Sequence, residues 1–301
     1  MLLSNDKQLF NDIILEIEEK KGIQSYFIEK DYYAITILKE LFKRDDKFVF
    51  KGGTSLSVCQ HVINRFSEDV DVSYVDEVIT QGNRRRIKQI FFDSIEASSL
   101  SVSNPDNIRS RRIFNRYLCP YSSNRNANGD KVIVEWSTIT PSFPIEEKEA
   151  QTIIGKYLQE IGRNDLVEKY ELQSFKVKTI TKERTLVDKI FAICDYHISK
   201  KLDRQSRHIY DIYKLSSLVK LDESFIELFK KVKEYREKLE TRYSAKEGKK
   251  VSTLLVELIK ENTYLKDYKE KTYNLLYDHI RYEECLDSIK HISEFLKENN
   301  Y

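Results

Sequence analysis

Phe48-Val49-Phe50-Lys51-Gly52-Gly53-Thr54-Ser55-Leu56 and, fourteen residues beyond Ser55, Asp69-Val70-Asp71-Val72-Ser73-Tyr74 decide how this chain is read. The first stretch begins as a short apolar strand, breaks at a glycine pair, and resumes as a helix expected over Thr54 to Val62. The second alternates: Val70, Val72 and Tyr74 point to one side of a strand, Asp69, Asp71 and Ser73 to the other. Carboxylates two residues apart on a strand lie about 6–7 Å apart at Cα and share a face. A glycine turn opening a helix presents bare backbone N–H groups and a partial positive end to an anion. Together these are the parts needed to hold a nucleoside triphosphate and its magnesium.

Each part also has a plainer reading. Asp-x-Asp can be a half-exposed edge strand with solvated acids, and Gly52, Gly53, Thr54 and Ser55 an ordinary capped turn. The segment is not a Walker A loop, since no Gly-Lys-Ser/Thr follows at the required spacing, and it lacks GxGxxG. Lys51 either touches phosphate or ends the strand. Mg²⁺ prefers a few carboxylates plus substrate oxygens, and two ions about 3.5–4 Å apart can activate an attacking oxygen and stabilise a leaving one.

Glu135 is the candidate third carboxylate, as general base or metal ligand. It alternates with Val134 and Trp136 in a strand expected over Lys131 to Ser137, which could pair beside Asp69 and Asp71; the alternative is a surface acid. Glu68 alternates to the other face. In the C-terminal half Lys189 flanks the apolar stripe of Leu186, Ile190 and Ile193. It could reach a triphosphate across a cleft, or snorkel at the stripe edge. Arg204, Arg207 and Asp211 share a helix face, and Arg207 and Asp211 are spaced for an i,i+4 ion pair.

The 51 basic and 49 acidic residues leave a net charge of +2, so there is no global field for nonspecific nucleic-acid capture and no DNA partner is expected. Any RNA contact must use local patches. Arg84-Arg85-Arg86, Arg109-Ser110-Arg111-Arg112 and the group Lys246, Lys249 and Lys250 are such patches or solvated faces. Cys59, Cys119, Cys194 and Cys285 lie far apart, which argues against structural zinc and a disulfide framework. The histidines form no ligand spacing. No apolar run is long enough to span a membrane, and Met1-Leu2-Leu3-Ser4-Asn5-Asp6 lacks the features of a signal peptide. A cytoplasmic location is expected.

Working outward, Ser4 or Asn5 is expected to cap a helix to Lys21, stopped by Gly22. A second helix is expected over Ser25 to Lys43 and another over Gln81 to Ser98. Strands are expected over Ile113 to Tyr121 and Lys131 to Ser137, joined through the turn signal Asn128-Gly129. A linker after Pro141 and Pro144 leads to a helix near Glu147 to Ile161. Phe175 to Ile180 reads as a strand, and the rest as helix. The expected organisation is α+β, with residues 1–140 as one part and a mostly helical part over 141–301.

Glu29-Lys30-Asp31-Tyr32-Tyr33, Phe50-Lys51-Gly52-Gly53-Thr54-Ser55-Leu56 and Arg65-Phe66-Ser67-Glu68-Asp69-Val70-Asp71 closely resemble the AbiEii/AbiGii toxin family of nucleotidyltransferases. Leu186-Val187-Asp188-Lys189 and Arg207-His208-Ile209-Tyr210-Asp211 look like that family's C-terminal motifs. The resemblance implies a DNA polymerase β-like nucleotidyltransferase core with a mixed sheet, followed by a helical domain. It implies a toxin of a toxin–antitoxin or abortive-infection system, with a cognate antitoxin as partner. The activity implied is Mg²⁺-dependent transfer of a nucleotide from an NTP to the 3′ end of tRNA, which halts translation and growth. On this resemblance Gly53, Thr54 and Ser55 hold the triphosphate, Asp69 and Asp71 the metal, Lys189 contacts phosphate, and Asp211 shares the cleft. The alternatives are transfer to a protein or small molecule, and a non-catalytic protein that binds an NTP or a partner.

Overall fold

The computed structural model describes residues 1–67, 69–75, 80–106, 108, 114–123, 125 and 130–301. The Asn128-Gly129 turn, Glu68 and the 109–112 basic run lie outside the described residues. Backbone contacts divide the chain into two compact units, residues 1–60 with 67–179, and residues 61–66 with 180–301.

In the first unit, helix α1 (Lys7–Lys21) buries Phe10, Ile13, Ile14 and Ile17, the i, i+3, i+4, i+7 stripe of an amphipathic helix. Its cap is Asp6, whose side chain accepts from the Leu9 N–H, not Ser4 or Asn5; Leu3–Asn5 form a 3₁₀ turn. Gly22, at φ +67°, ends it as expected. Helix α2 (Ser25–Arg44) follows, then strand β1 (Phe48–Lys51). Helix α3 (Gly52–Val58) is shorter than expected and begins at the glycine itself. It closes where the Cys59 and Gln60 N–H groups both donate to the Ser55 carbonyl. Val62, the expected end of the helix, is buried in the other unit instead, as is Ile63.

Strand β2 (Asp69–Tyr74), helix α4 (Gln81–Ala97) and strands β3 (Phe114–Tyr121) and β4 (Asp130–Ser137) come next. Helix was expected near Glu147 to Ile161, but Ile145–Ala150 is strand β5, and helix α5 begins only at Ile153 (Ile153–Glu160). Thr152 caps α5, accepting from the Gly155 N–H at 2.9 Å. Strand β5 escaped detection because it is the last strand of the sheet. Edge strands are charged rather than alternating, and here Lys176 reaches Glu147 at 2.7 Å and Lys148 reaches Glu146 at 2.9 Å. Helix α6 (Asn164–Lys169) precedes strand β6 (Phe175–Ile180).

The six strands form one mixed sheet in the order β3-β4-β2-β1-β6-β5. β1 runs antiparallel to β2 and parallel to β6, while β2 runs parallel to β4 and β3 antiparallel to β4. Phe48, Phe50, Val70, Val72, Val132, Val134, Trp136 and Tyr117 bury on the face shared with the core. That burial fixes the register, because a one-residue slip would turn the polar face inward. The fold is therefore α+β with a mixed sheet, as expected.

The second unit is helical: α7 (Lys182–Ser199), α8 (Arg207–Ser216), α9 (Glu223–Glu237), α10 (Val251–Lys260), the single turn α11 (Leu265–Asp267) and α12 (Tyr282–Glu298). Thr181 caps α7 through the Arg184 N–H, and Phe191 of α7 stacks on Phe229 of α9 at 4.7 Å. The segment 61–66 is tied in by a bridge from Arg65 to Leu276 and by Tyr277 N–H donating to the Asn64 carbonyl at 2.9 Å. All four cysteines are buried free thiols; burial pushes those of Cys59, Cys119 and Cys285 up to about 12. Among the described residues, no helix is long and apolar enough to cross a membrane.

Candidate active site

The polar face of the sheet carries a row of charges that only strand pairing could reveal. Lys51 on β1 faces Asp71 on β2, Asp71 faces Glu135 on β4, and Glu135 faces Arg116 on β3. Neighbouring strands lie about 4.8 Å apart, so two carboxylates stand side by side, flanked by a cation at each end. Asp69 lies one pleat along β2 on the same face. The expectation that Glu135's strand runs beside Asp69 and Asp71 is met. Arg116, to which sequence reasoning gave no role, reaches the Glu135 carboxylate at 3.2 Å.

Gly52 fits this face in a way no other residue could. Its φ of +77° lies in the left-handed region, and a Cβ there would sit 2.2 Å from Asp71 Oδ2 and 3.0 Å from its Cγ. The glycine thus turns the chain from β1 into α3 and leaves the room that the Asp71 carboxylate occupies. Thr54 and Ser55 are buried, and their hydroxyls donate to backbone carbonyls, Thr54 to Asp69 and Ser55 to Gly52 at 3.1 Å. The Thr54 bond ties α3 to the start of β2, so these hydroxyls build the turn that carries the carboxylates.

Among the described residues, no three His, Cys, Asp or Glu side chains converge closely enough to form a metal cage. The donor set nevertheless suits Mg²⁺, a hard cation that takes one or two carboxylates and completes its shell with water and substrate phosphate oxygens. Asp69 and Asp71 supply such carboxylates, with Glu135 adjacent.

The helical unit holds the remaining candidates. Asp211, on α8, is fully buried. Arg65 grips both its oxygens, Nε to Oδ1 at 2.7 Å and Nη2 to Oδ2 at 2.8 Å, and Lys189 Nζ of α7 donates to Oδ2 at 2.6 Å. Burial works to raise the Asp211 carboxyl, but the Arg65 guanidinium and the Lys189 ammonium outweigh it and hold it well below the usual carboxylate range. Burial lowers Lys189, with Arg65 adding to the effect against the pull of Asp211. His208, one turn before Asp211, is held well below its ordinary value by burial and then by Lys189 and Arg207, so it is neutral. Sequence spacing pointed to Arg207 as a partner of Asp211; Arg65 and Lys189 are partners it did not suggest. The sequence signal for Arg65 was its place at the head of the Arg65-Phe66-Ser67-Glu68-Asp69-Val70-Asp71 stretch.

The basic patches divide. Arg86 donates to Asp45 and to the Tyr74 hydroxyl, both at 2.7 Å, and Lys246 donates to the Glu237 carbonyl at 2.6 Å. These contacts hold Arg86 and Lys246 to their own fold, while Arg85, Lys249 and Lys250 of the same clusters are exposed.

The family model of the nucleotidyl transferase AbiEii toxin of type IV toxin–antitoxin systems matches residues 36–288. Among solved structures, the MenT4 nucleotidyltransferase toxin of Mycobacterium tuberculosis is similar with a TM-score of 0.56 and 16% identity, covering 89% of this chain and 85% of that one. JHP933 of Helicobacter pylori is similar with a TM-score of 0.50 and 14% identity, covering 92% of this chain and 94% of that one. At such identities the likeness is one of fold. No curated protein sequence matches significantly. The sheet face with its paired aspartates, the glycine turn beside them and the family match over most of the chain lead to one conclusion: this chain is a nucleotidyltransferase and belongs to the AbiEii toxin family of type IV toxin–antitoxin systems.

Proposed function

We propose that the chain uses Mg²⁺ to transfer a nucleotide from an NTP to the 3′ end of tRNA, and so inhibits translation and growth. The observation that carries this reading is the polar face of β2, where Asp71 lies in the space that Gly52 leaves and stands beside Glu135. Asp69 and Asp71 would hold the metal, with Glu135 as third carboxylate or general base. Gly52, Gly53, Thr54 and Ser55 would receive the triphosphate through backbone N–H groups of the turn, with Lys51 at its edge. The chemistry supplied by bound Mg²⁺ is charge stabilisation at the α-phosphate and on the leaving pyrophosphate. The carboxylates orient the acceptor hydroxyl and accept its proton. Lys189 contacts the nucleotide phosphates, with Asp211 as its buried counter-ion. A cognate antitoxin follows from family membership, and a cytoplasmic site of action from the nature of the acceptor.

The test is competition among acceptors. Purified protein, Mg²⁺ and each α-phosphate-labelled NTP in turn are offered total tRNA, a protein extract and a small-molecule extract together. Label at the 3′ nucleotide of tRNA, lost on adding a chelator, supports the proposal. Label in protein or small molecules alone moves the acceptor to those classes. Nucleotide binding with no product in any fraction refutes transfer.

A further inference from the structure

The Arg65–Asp211–Lys189 cluster holds two cations and one anion, and none of the three side chains is more than 7% exposed. Buried charges are costly unless paired, and Asp211 here meets both cations at once. Lys189 offers three donors. Among the described residues one of them is used, on Asp211 Oδ2. Arg65 is held at all three of its nitrogens: besides the two bonds to Asp211, Nη1 donates to the Phe66 carbonyl at 2.8 Å. Its backbone segment is fastened on both sides, by Asn64 N–H to the Tyr210 hydroxyl at 3.0 Å and by Phe66 N–H to the Leu275 carbonyl at 3.1 Å.

A planar guanidinium that takes both carboxylate oxygens fixes the plane of Asp211 and neutralises most of its charge. Lys189 is then aimed by Asp211 without being locked to it. We propose that Arg65 is a positioning residue for nucleotidyl transfer: by clamping Asp211 it sets where the Lys189 ammonium lies and leaves two of its donors available to a phosphate. The inference rests on the proposed role of Lys189 at the nucleotide phosphates. Without the fork, the full charge of Asp211 falls on Lys189, and the ammonium is held in a closed pair.

The test uses the full chain with Arg65→Met, which removes the charge, and Arg65→Lys, which keeps the charge but loses the fork. Two quantities are read at matched folded fraction. The first is the rate at which acetic anhydride labels Lys189, mapped by mass spectrometry against exposed Lys176 as reference. The second is kcat and the KM for NTP. In Arg65→Met, Lys189 should label about tenfold more slowly, the equivalent of one pKa unit, and kcat should fall by roughly 100-fold, as for a misplaced catalytic group. Arg65→Lys should fall between that variant and the native protein in both. A merely structural arginine would loosen the site, so that Lys189 labels faster while kcat per folded molecule is unchanged; that result overturns the proposal. If Arg65→Met does not fold, Arg65→Lys with native labelling and native kcat overturns it. If the native protein transfers nothing, the transfer reading fails, while the labelling comparison still decides whether Arg65 controls Lys189.

Discussion

Gly52→Ala isolates the contact on which the site depends. Two costs follow from the structure. The first is backbone strain: an alanine held at φ +77° pays roughly 1–2 kcal/mol. The second is steric. The new methyl would lie 2.2 Å from Asp71 Oδ2, so the carboxylate must swing away. Asp71 is only partly buried, so it can yield at the expense of an off-rotamer side chain, about 0.5–1.5 kcal/mol. The sum, about 1.5–3.5 kcal/mol, should be read by urea denaturation, and on the proposed role of Asp71 as a metal ligand nucleotide transfer should fall by roughly 100-fold, because that carboxylate is displaced. Pairing the change with Asp71→Ala separates the two costs. In that background the clash with the carboxylate is gone, while the strain and a 3.2 Å approach to the Cβ of residue 71 remain, so the double-mutant cycle should show a coupling of up to about 0.5–1.5 kcal/mol. Additive costs would refute the claim that Gly52 makes room for Asp71. Native activity in Gly52→Ala would refute the claim that the room matters.

Thr54→Val keeps the shape but removes the hydroxyl donated to the Asp69 carbonyl; it should destabilise the protein by about 1–3 kcal/mol, and Thr54→Ser by less, in the same denaturation assay. Asp31 accepts from the Ile153 N–H at 2.7 Å, yet burial pushes its carboxyl up to about 7. Between the unfolded value, about 3.9, and 7 the folded state therefore binds more protons than the unfolded state. Stability should fall as pH rises through that window, by at most about 1.4 kcal/mol per pH unit. Asp31→Asn, which can still accept from Ile153, should flatten the melting temperature between pH 5 and 7; an unchanged slope would contradict this. Arg116→Met removes the cation beside Glu135 and should lower the Mg²⁺ concentration for half-maximal transfer, while the Asp71–Glu135 repulsion costs about 0.2–1 kcal/mol. Expression of the native protein should arrest growth, and Asp69→Asn should not.

Most of this architecture could be read from local pattern. Alternation alone oriented Asp69 and Asp71 away from Val70, Val72 and Tyr74, and a glycine pair after an apolar strand marked the turn. Pattern reading failed where burial comes from distant parts of the chain. Val62 looked like helix because its apolar partners lie in another unit. Strand β5 looked like helix because an edge strand needs no apolar alternation. The candidate residues could be named from the sequence, but not their partners in the fold. Arg116 meets Glu135 only through the β3–β4 register. Arg65 and Asp211 are 146 residues apart in the chain, and no spacing rule links them.

The central claim is that the carboxylate face of β2 carries metal-dependent nucleotide transfer, and one rate comparison tests it. Native and Asp71→Asn proteins, shown equally folded by circular dichroism, are each given Mg²⁺, α-phosphate-labelled NTP and total tRNA, and the initial rate of label incorporation is measured. Label should enter tRNA with the native protein and fall by roughly a thousandfold or more with Asp71→Asn, as when a group essential to charge stabilisation is removed. Equal rates from the two proteins would contradict the account.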